Sequence, residues 1–435
     1  MPKKNIVDKI ILIYYSPPYI DIILDILFVK PKFFSTMEKF RLENGLSVMY
    51  AGLAKKFSVC VSINIGHVNE PALGIANLFE RTLLLQTRGI IPVFGGTMTA
   101  FTTGGENLDE VLGKVRKIFS DTVVSTEYLE RAKELIRTQT YDMAPMTMRR
   151  MKLAYKHIAF GADVRPTEEY LDAISSYSVD DVRIFANTYY TAKNIVLVVS
   201  GPDVSDLELQ KLAEEYFGDI PEGVEIPRAK SNIYTGGFEK LDVSSNSTLL
   251  MFGWDMSGLS IDDSPATNVM MSMFLRRLER AYADAGYDDV QVDLKIAGYY
   301  GLRTMRAFVS STSHGAKELT DVFTKAVNRI ADTEASDRRM ERSRNAAMVE
   351  KLDKYEKSDD RTLETAWQLI GRGTMYDVAN RINLIFETRA EDVKDIACRV
   401  FRGSRPTYIV AAPKNASYYT LEEVMSAMHI KLSNK

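Results

Sequence analysis

The side chains best suited to metal binding or nucleophilic chemistry are few, namely four histidines and two cysteines in 435 residues. They are His67, His157, His314, His429, Cys60 and Cys398. His67 and Glu70 have the spacing of half of a zinc motif in which a second histidine directly follows the glutamate, but Pro71 stands in that place. Because a catalytic zinc ion needs three protein ligands, this segment predicts a polar loop and not a metal site.

The other side chains do not assemble a nucleophile, a base and an orienting group. The sequence contains no Gly-x-Ser-x-Gly elbow, and no cysteine is paired with a histidine by its spacing. The glycine-rich segment 95–106 lacks the spacing and the lysine of a phosphate-binding loop, so its glycines predict turns. Cys60 and Cys398 lie in apolar segments, and we interpret both as small buried residues in a reducing compartment.

The composition indicates a globular protein, with 46% apolar residues, 26% charged residues and a formal net charge of -3. A nucleic-acid partner requires a surplus of Lys and Arg, so we predict none. The most apolar stretch, residues 10–29, is interrupted by two prolines and by Asp21 and Asp25. We therefore predict no membrane span, which requires about 20 mostly apolar residues.

An internal repeat organises the chain. Residues 178–202 and 388–413 each begin with a helical pattern, continue with an apolar run and end at a proline. The matching pairs share one separation and are Asp181 with Asp392, Val182 with Val393, Ala186 with Ala397 and Pro202 with Pro413. Ser178 and Thr388 are the expected N-caps of the two helices, although they are one residue out of step with the other pairs.

The repeat and the alternation of helical and strand patterns predict an α+β fold with two homologous domains. Each domain is expected to be a mostly antiparallel sheet with helices packed on one face. The predicted boundaries are residues 37–222 and 235–430, joined by a linker over residues 223–234 that is rich in Gly, Pro and Glu. Residues 1–36 are left as an N-terminal arm.

Several motifs in a fixed order carry a family resemblance. They are ENGLSVMYAG (Glu43–Gly52), GIANLFERTLLLQTRG (Gly74–Gly89), GGTMTAFTT (Gly95–Thr103) and EEYFGDIPEG (Glu214–Gly223). In this order, and with the duplication, the chain resembles the pitrilysin or mitochondrial processing peptidase family of zinc proteases over about residues 37–414. The resemblance implies a zinc motif H-x-x-E-H on the first helix, with a further glutamate on a later helix.

The positions that match this zinc motif are degenerate. Asn77 and Arg81 replace the two histidines, and only the general-base position, Glu80, is kept. We expect Glu80 to form a surface or interface ion pair with Arg81. On the later helix no carboxylate lies between Glu134 and Asp142, and Asp142 is one possible relic of the third ligand. The resemblance thus implies no catalytic residue, no metal and no cofactor.

Members of this family that lack the zinc site act as partner subunits, which leaves three roles. The first is the non-catalytic subunit of a heterodimeric mitochondrial processing peptidase, but residues 270–280 contain no glycine where that subunit has a glycine-rich loop. The second is a structural core subunit of mitochondrial ubiquinol–cytochrome c reductase (complex III). The third is the inactive partner in a bacterial zinc protease pair. A hydrolase with an unfamiliar site is a fourth hypothesis.

The combined absence of the zinc ligands and of the glycine-rich loop favours the complex III core subunit. The resemblance then implies a homologous peptidase-like partner, other subunits of a membrane complex, and a place on the matrix side of the mitochondrial inner membrane. Residues 1–35 are dense in large apolar side chains and lie outside the repeat. We expect this arm to contact another subunit or to fold back over a sheet edge of its own chain.

Overall fold

The computed structural model describes residues 39–87, 89–119, 124–143, 146–161, 167–227, 233–299, 302–373 and 378–431. The predicted N-terminal arm, residues 1–36, lies outside these ranges, so its contacts stay a prediction. The described residues form two sheets with helices around them. None of the helices in these ranges is long and apolar enough to cross a membrane.

The first sheet has six strands in the order β1-β2-β6-β3-β5-β4. Its strands are β1 (Lys39–Arg41), β2 (Ser47–Leu53), β3 (Phe57–Ile63), β4 (Ile91–Phe94), β5 (Thr99–Gly105) and β6 (Ile195–Gly201). All neighbours are antiparallel except β2 and β6, which pair in parallel with Ser47 opposite Val196. The central strand β3 is buried along nearly its whole length, as the apolar run FSVCVSI requires.

The second sheet has five strands in the order β7-β11-β8-β10-β9. They are β7 (Gly237–Asp242), β8 (Thr248–Asp255), β9 (Gln291–Tyr299), β10 (Leu302–Ser311) and β11 (Thr407–Ala412). The first and last of these strands again pair in parallel, and the remaining pairs are antiparallel. Strands β2 to β6 and β7 to β11 therefore have one shared topology. The predicted fold class, with two homologous and mostly antiparallel sheets, is confirmed.

Fourteen α-helices lie within the described residues. In the first half they are α1 (Ile75–Gln86), α2 (Leu108–Arg116), α3 (Thr126–Met143), α4 (Thr147–Phe160), α5 (Thr167–Ser176), α6 (Val179–Tyr189) and α7 (Asp206–Phe217). In the second half they are α8 (Ser264–Asp284), α9 (Ala316–Asp332), α10 (Asp337–Glu356), α11 (Ser358–Arg372), α12 (Val378–Glu387), α13 (Ala390–Arg402) and α14 (Leu421–Ala427). The predicted domain boundaries stay predictions.

The two repeated segments both fold as a helix followed by a strand, α6 with β6 and α13 with β11. Ser178 is the N-cap of α6 and forms a capping box with Asp181, as expected. The expected N-cap Thr388 is wrong. The N-cap of α13 is Arg389, whose N–H donates to the Asp392 carboxylate at 2.7 Å. Thr388 donates instead to the carbonyl of Leu384 near the end of α12. The observed caps, Ser178 and Arg389, have the same separation as the repeat pair Asp181 and Asp392.

Each sheet has helices of its own half on one face and one helix of the other half on the opposite face. Helix α4 of the first half lies on the second sheet, where Tyr155 and Phe160 pack with Met251 and Ile409. Helix α11 of the second half lies on the first sheet, where Ala366 and Leu369 pack in one cluster with Met49, Cys60, Ala100 and Val198. The prediction places helices on one face of each sheet, and the structure also has a helix from the other half on the second face. This exchange couples the stability of the two halves.

Gly253 on β8 tests this exchange, because a Cβ atom there would lie 2.4 Å from Cε2 of Tyr155 on α4. We expect Gly253→Ala to lower the free energy of unfolding by about 1–3 kcal/mol, since the buried ring has to move. Gly258→Ala is the matched control, because nothing lies within 4 Å of its Cβ position. Urea unfolding of the two variants measures the difference, and equal midpoints would contradict the packing of α4 on this sheet.

Candidate functional site

The degenerate zinc motif lies on α1, at the face of the helix that meets the first sheet. Phe79 anchors the helix, since its ring meets the ring of Tyr190 edge-on with a centroid distance of 4.7 Å. Helix α1 begins after Gly74, whose φ of 81° places it in the left-handed region that glycine tolerates best. The three motif positions Asn77, Glu80 and Arg81 are thereby fixed relative to the sheet.

The carboxylate of Glu70 caps the first turn of α1 and so is not free to act elsewhere. Its two oxygens accept hydrogen bonds from the N–H groups of Gly74 at 2.7 Å and Ala76 at 2.9 Å. Burial raises the pKa of Glu70 to about 7, although these two hydrogen bonds favour the ionised form. The predicted half-motif of His67 and Glu70 is thus a polar loop in which the glutamate serves the helix end.

Asn77 replaces the first expected zinc ligand and holds a neighbouring helix. Its side-chain amide donates to the hydroxyl of Tyr170 on α5 at 2.6 Å. Burial raises the pKa of that tyrosine, so it stays neutral and can accept this bond. An amide nitrogen that donates this hydrogen bond has no lone pair for a metal ion. The hydrogen bond instead connects α1 to α5.

Glu80 is buried, with 4% of its surface exposed, so the expected surface position of this residue is wrong. Its carboxyl group is hydrogen-bonded to the hydroxyl of Thr99 on β5. The same hydroxyl lies 3.0 Å from the carbonyl of Ile65, to which it donates. A hydroxyl has one proton to give, so both contacts are satisfied when a protonated Glu80 donates to Thr99 Oγ1. Burial raises the pKa of Glu80 to about 8, although a hydrogen bond from Thr99 would favour the ionised form, so the carboxyl group is largely protonated at neutral pH.

Arg81 replaces the second expected zinc ligand. It is half-buried, and its charge lowers the pKa of Glu80 against the larger effect of burial. A guanidinium is protonated at all physiological pH values, so this position cannot bind a cation. The side chains at Asn77, Glu80 and Arg81 together provide no imidazole and no accessible carboxylate pair.

The candidates for the third ligand lie on α3, away from any cluster of ligands. Glu134 and Asp142 are both exposed, and Glu134 accepts a bond from the hydroxyl of Thr138. Among the residues that the structure describes, no group of three or more His, Cys, Asp or Glu side chains could hold a metal ion. Asp142, predicted as a possible relic of the site, is therefore not brought into one.

The remaining histidines and cysteines are dispersed. His67 and His157 are exposed, His429 lies 3.8 Å from Asp332, and the ring of His314 stacks on Tyr287 at 3.8 Å. Both cysteines are free. Cys60 is buried on β3, as predicted, and burial raises the pKa of its thiol. Cys398 is only half-buried, so the prediction of two buried cysteines is wrong for this residue.

The segment that would correspond to a glycine-rich loop is regular helix. Residues 270–280 lie within α8, which runs without interruption from Ser264 to Asp284. Met270, Phe274 and Leu278 are buried in the core of the second half. Their spacing of four residues is that of one helix face, so this segment is held by packing and not by a mobile backbone.

Comparison with known proteins agrees with this geometry. Residues 176–347, from the end of α5 into α10, match the family model described as the Peptidase M16 inactive domain. The predicted peptidase family resemblance is confirmed. The M16 match ends well short of both chain termini and does not include Asn77, Glu80 or Arg81.

The chain is also similar in sequence to a subunit of a mitochondrial complex. Over 202 residues the chain is 26% identical to the mitochondrial cytochrome b-c1 complex subunit 2 of Schizosaccharomyces pombe. The alignment covers 41% of this chain and 46% of that protein, so the chain matches about half the length of this relative.

Solved structures share the fold over nearly the whole chain. Complex III2 from Candida albicans, with Inz-5 bound, contains a chain that superposes with a TM-score of 0.78, covering 90% of this chain and all of that one. A protease from Helicobacter pylori superposes with a TM-score of 0.75, covering 86% of this chain and 99% of that one. Both are 15% identical in sequence, so they show the fold alone.

Proposed function

We propose that the chain is a non-catalytic, structural core subunit of a mitochondrial cytochrome b-c1 complex, derived from a processing peptidase. The observation that carries the proposal is the degenerate motif, in which Asn77 is hydrogen-bonded to Tyr170 and Glu80 is buried against Thr99. A general base for a metal-bound water has to face that water, and here the carboxyl group is used inside the fold. The resemblance to cytochrome b-c1 complex subunit 2 favours this complex over the other roles.

The proposed partners follow from the same resemblance. They are a homologous peptidase-like core subunit and further subunits of the membrane complex, on the matrix side of the mitochondrial inner membrane. The chain would reach the membrane through these partners, and no nucleic acid is involved. The net charge of -3 agrees with a protein partner and gives no support to a polyanionic template.

Native electrophoresis of detergent-solubilised membranes, followed by detection of this chain, tests the assembly. We expect the chain to migrate with cytochromes b and c1 in one large complex. Migration as a heterodimer that cleaves presequences would instead identify the processing peptidase subunit. Migration only with an active zinc protease would identify the inactive partner of a bacterial pair. Either result would overturn the proposal.

Restoring the two histidines should not restore a peptidase. We expect Asn77→His/Arg81→His to bind less than stoichiometric zinc and to cleave no peptide, because the described residues bring no carboxylate there as the third ligand and Glu80 is buried. Zinc content by atomic absorption and cleavage of a fluorogenic peptide measure this, with an active M16 protease as the positive control. One zinc ion per chain together with peptide cleavage would contradict the account of the site.

A further inference from the structure

A concave groove lies between three helices of the second half, whereas the degenerate motif lies on α1 in the first half. It is a cavity of about 650 Å³ between α8, α9 and α10. Its floor includes Met273 and Ala326, which are buried, and Ser343, which is also buried. The volume is in the range of small-molecule sites, which is about 300–1,000 Å³.

The walls of this groove are strongly basic. Helix α8 contributes Arg276, Arg277 and Arg280, helix α9 contributes Lys325 and Arg329, and helix α10 contributes Arg339 and Arg342. The acidic side chains in the lining are only Glu279 and Asp284. Within the described ranges, none of the seven cations forms a salt bridge, although ion pairs are common elsewhere on these helices, such as Lys354 with Glu350. Among the lining residues, which the structure describes, cations therefore outnumber acidic side chains by seven to two.

Arg277 is the most buried of the seven cations, since the other six are exposed. It is half-buried, and its Nη1 atom is buried without a hydrogen-bond partner among the described residues. Burial, followed by the charges of Arg329 and Arg339, lowers the pKa of Arg277 to about 10. An unpaired buried guanidinium nitrogen costs free energy, and an anion in the groove would remove that cost.

We propose that this groove binds a molecule with clustered phosphate groups, such as a diphosphate. Six of the seven cations are arginines, whose planar forks bind phosphate oxygens in pairs. The cations converge on one cavity from three helices, which suits a compact group with several charges. This inference goes beyond the proposed function and does not depend on it.

The arrangement of the cations around one concavity does not suit an acidic protein segment as the ligand. An extended segment would need a stripe of cations along the surface, whereas these cations surround one concavity. The phosphate groups could come from a soluble molecule or from a phospholipid headgroup, and the experiment separates these sources.

Titration calorimetry of the purified full-length chain with inorganic pyrophosphate tests the soluble source. Flotation with phosphatidylcholine vesicles, with and without phosphatidic acid, tests the lipid source. We expect binding in at least one arm, weakened by added salt. We expect Arg277→Gln/Arg339→Gln to weaken it by about tenfold or more, because paired guanidinium contacts are lost.

Arg338→Gln is the matched control, because Arg338 precedes Arg339 on the same helix, is exposed and is not part of the groove lining. Its binding should stay within about twofold of the wild type. Equal weakening in both variants would show a general charge effect and overturn the proposal. So would failure of both pyrophosphate and phosphatidic acid vesicles to bind, or binding of a polyglutamate peptide in their place.

Discussion

Replacing Arg361 by Met is expected to lower the free energy of unfolding by about 3–5 kcal/mol. Arg361 lies on α11, the helix that crosses to the first sheet, and only 2% of its surface is exposed. Its guanidinium donates to the carbonyls of Leu53 at 3.0 Å and Gly52 at 3.4 Å in the first half, and to that of Tyr355 at 3.1 Å in the second half. Methionine fills a similar length but donates no hydrogen bond to these oxygens.

The irregular end of β2 explains why those carbonyls need a side-chain donor. The register between β2 and β6 shifts between Tyr50 and Leu53, so part of β2 is out of the regular ladder. Thermal or urea unfolding measures the loss, and Arg338→Met is the control because that arginine is exposed. If both variants unfold at the same midpoint, Arg361 does not tie the two halves together as described.

The second large effect is a pH dependence of stability that comes from Glu80. Its pKa is about 8 in the folded protein and about 4.5 in an unfolded chain, so folding takes up a proton between these values. The contribution of the neutral carboxyl group to the free energy of unfolding is fully present below about pH 4.5. It is lost as the pH rises through about 8. We expect a decrease on the order of 3 kcal/mol between about pH 5 and pH 9.

Glu80→Gln should remove most of this decrease and make the protein more stable than the wild type at about pH 9. The amide can donate to Thr99 Oγ1, as the protonated acid does, and it cannot ionise. A smaller dependence should remain from Glu70, whose pKa of about 7 is also raised by burial. The exposed Glu134 gives the control Glu134→Gln. A stability curve for Glu80→Gln that is parallel to the wild type would contradict the buried, protonated carboxyl.

Local patterns in the sequence predict much of the fold. The apolar pattern of the sequence predicts a helix over Pro265–Ala283 and a strand over Arg303–Ser311. These ranges are close to those of α8 and β10. The repeat predicts the helix-then-strand unit twice. The position of the second cap was missed because Arg389 is not a typical N-cap residue, so the neighbouring Thr388 was the better match by type alone.

The exchange of α4 and α11 between the halves could not be predicted in this way. The sequence pattern predicts α4 as a helix, but the apolar face of a helix does not indicate which sheet that helix covers. The burial of Glu80 was missed for a related reason. A charged residue beside Arg81 is usually at the surface, and only the three-dimensional meeting of α1 with Thr99 on β5 shows that the carboxyl group is inside.

The most direct test of the central claim is the reduced-minus-oxidised absorbance spectrum of material captured through an affinity tag on this chain from its native membranes. We predict the bands of cytochromes b and c1, with about one chain for each cytochrome c1, and no zinc bound to this chain. Captured material that lacks both cytochromes but cleaves peptides with zinc dependence would contradict the account.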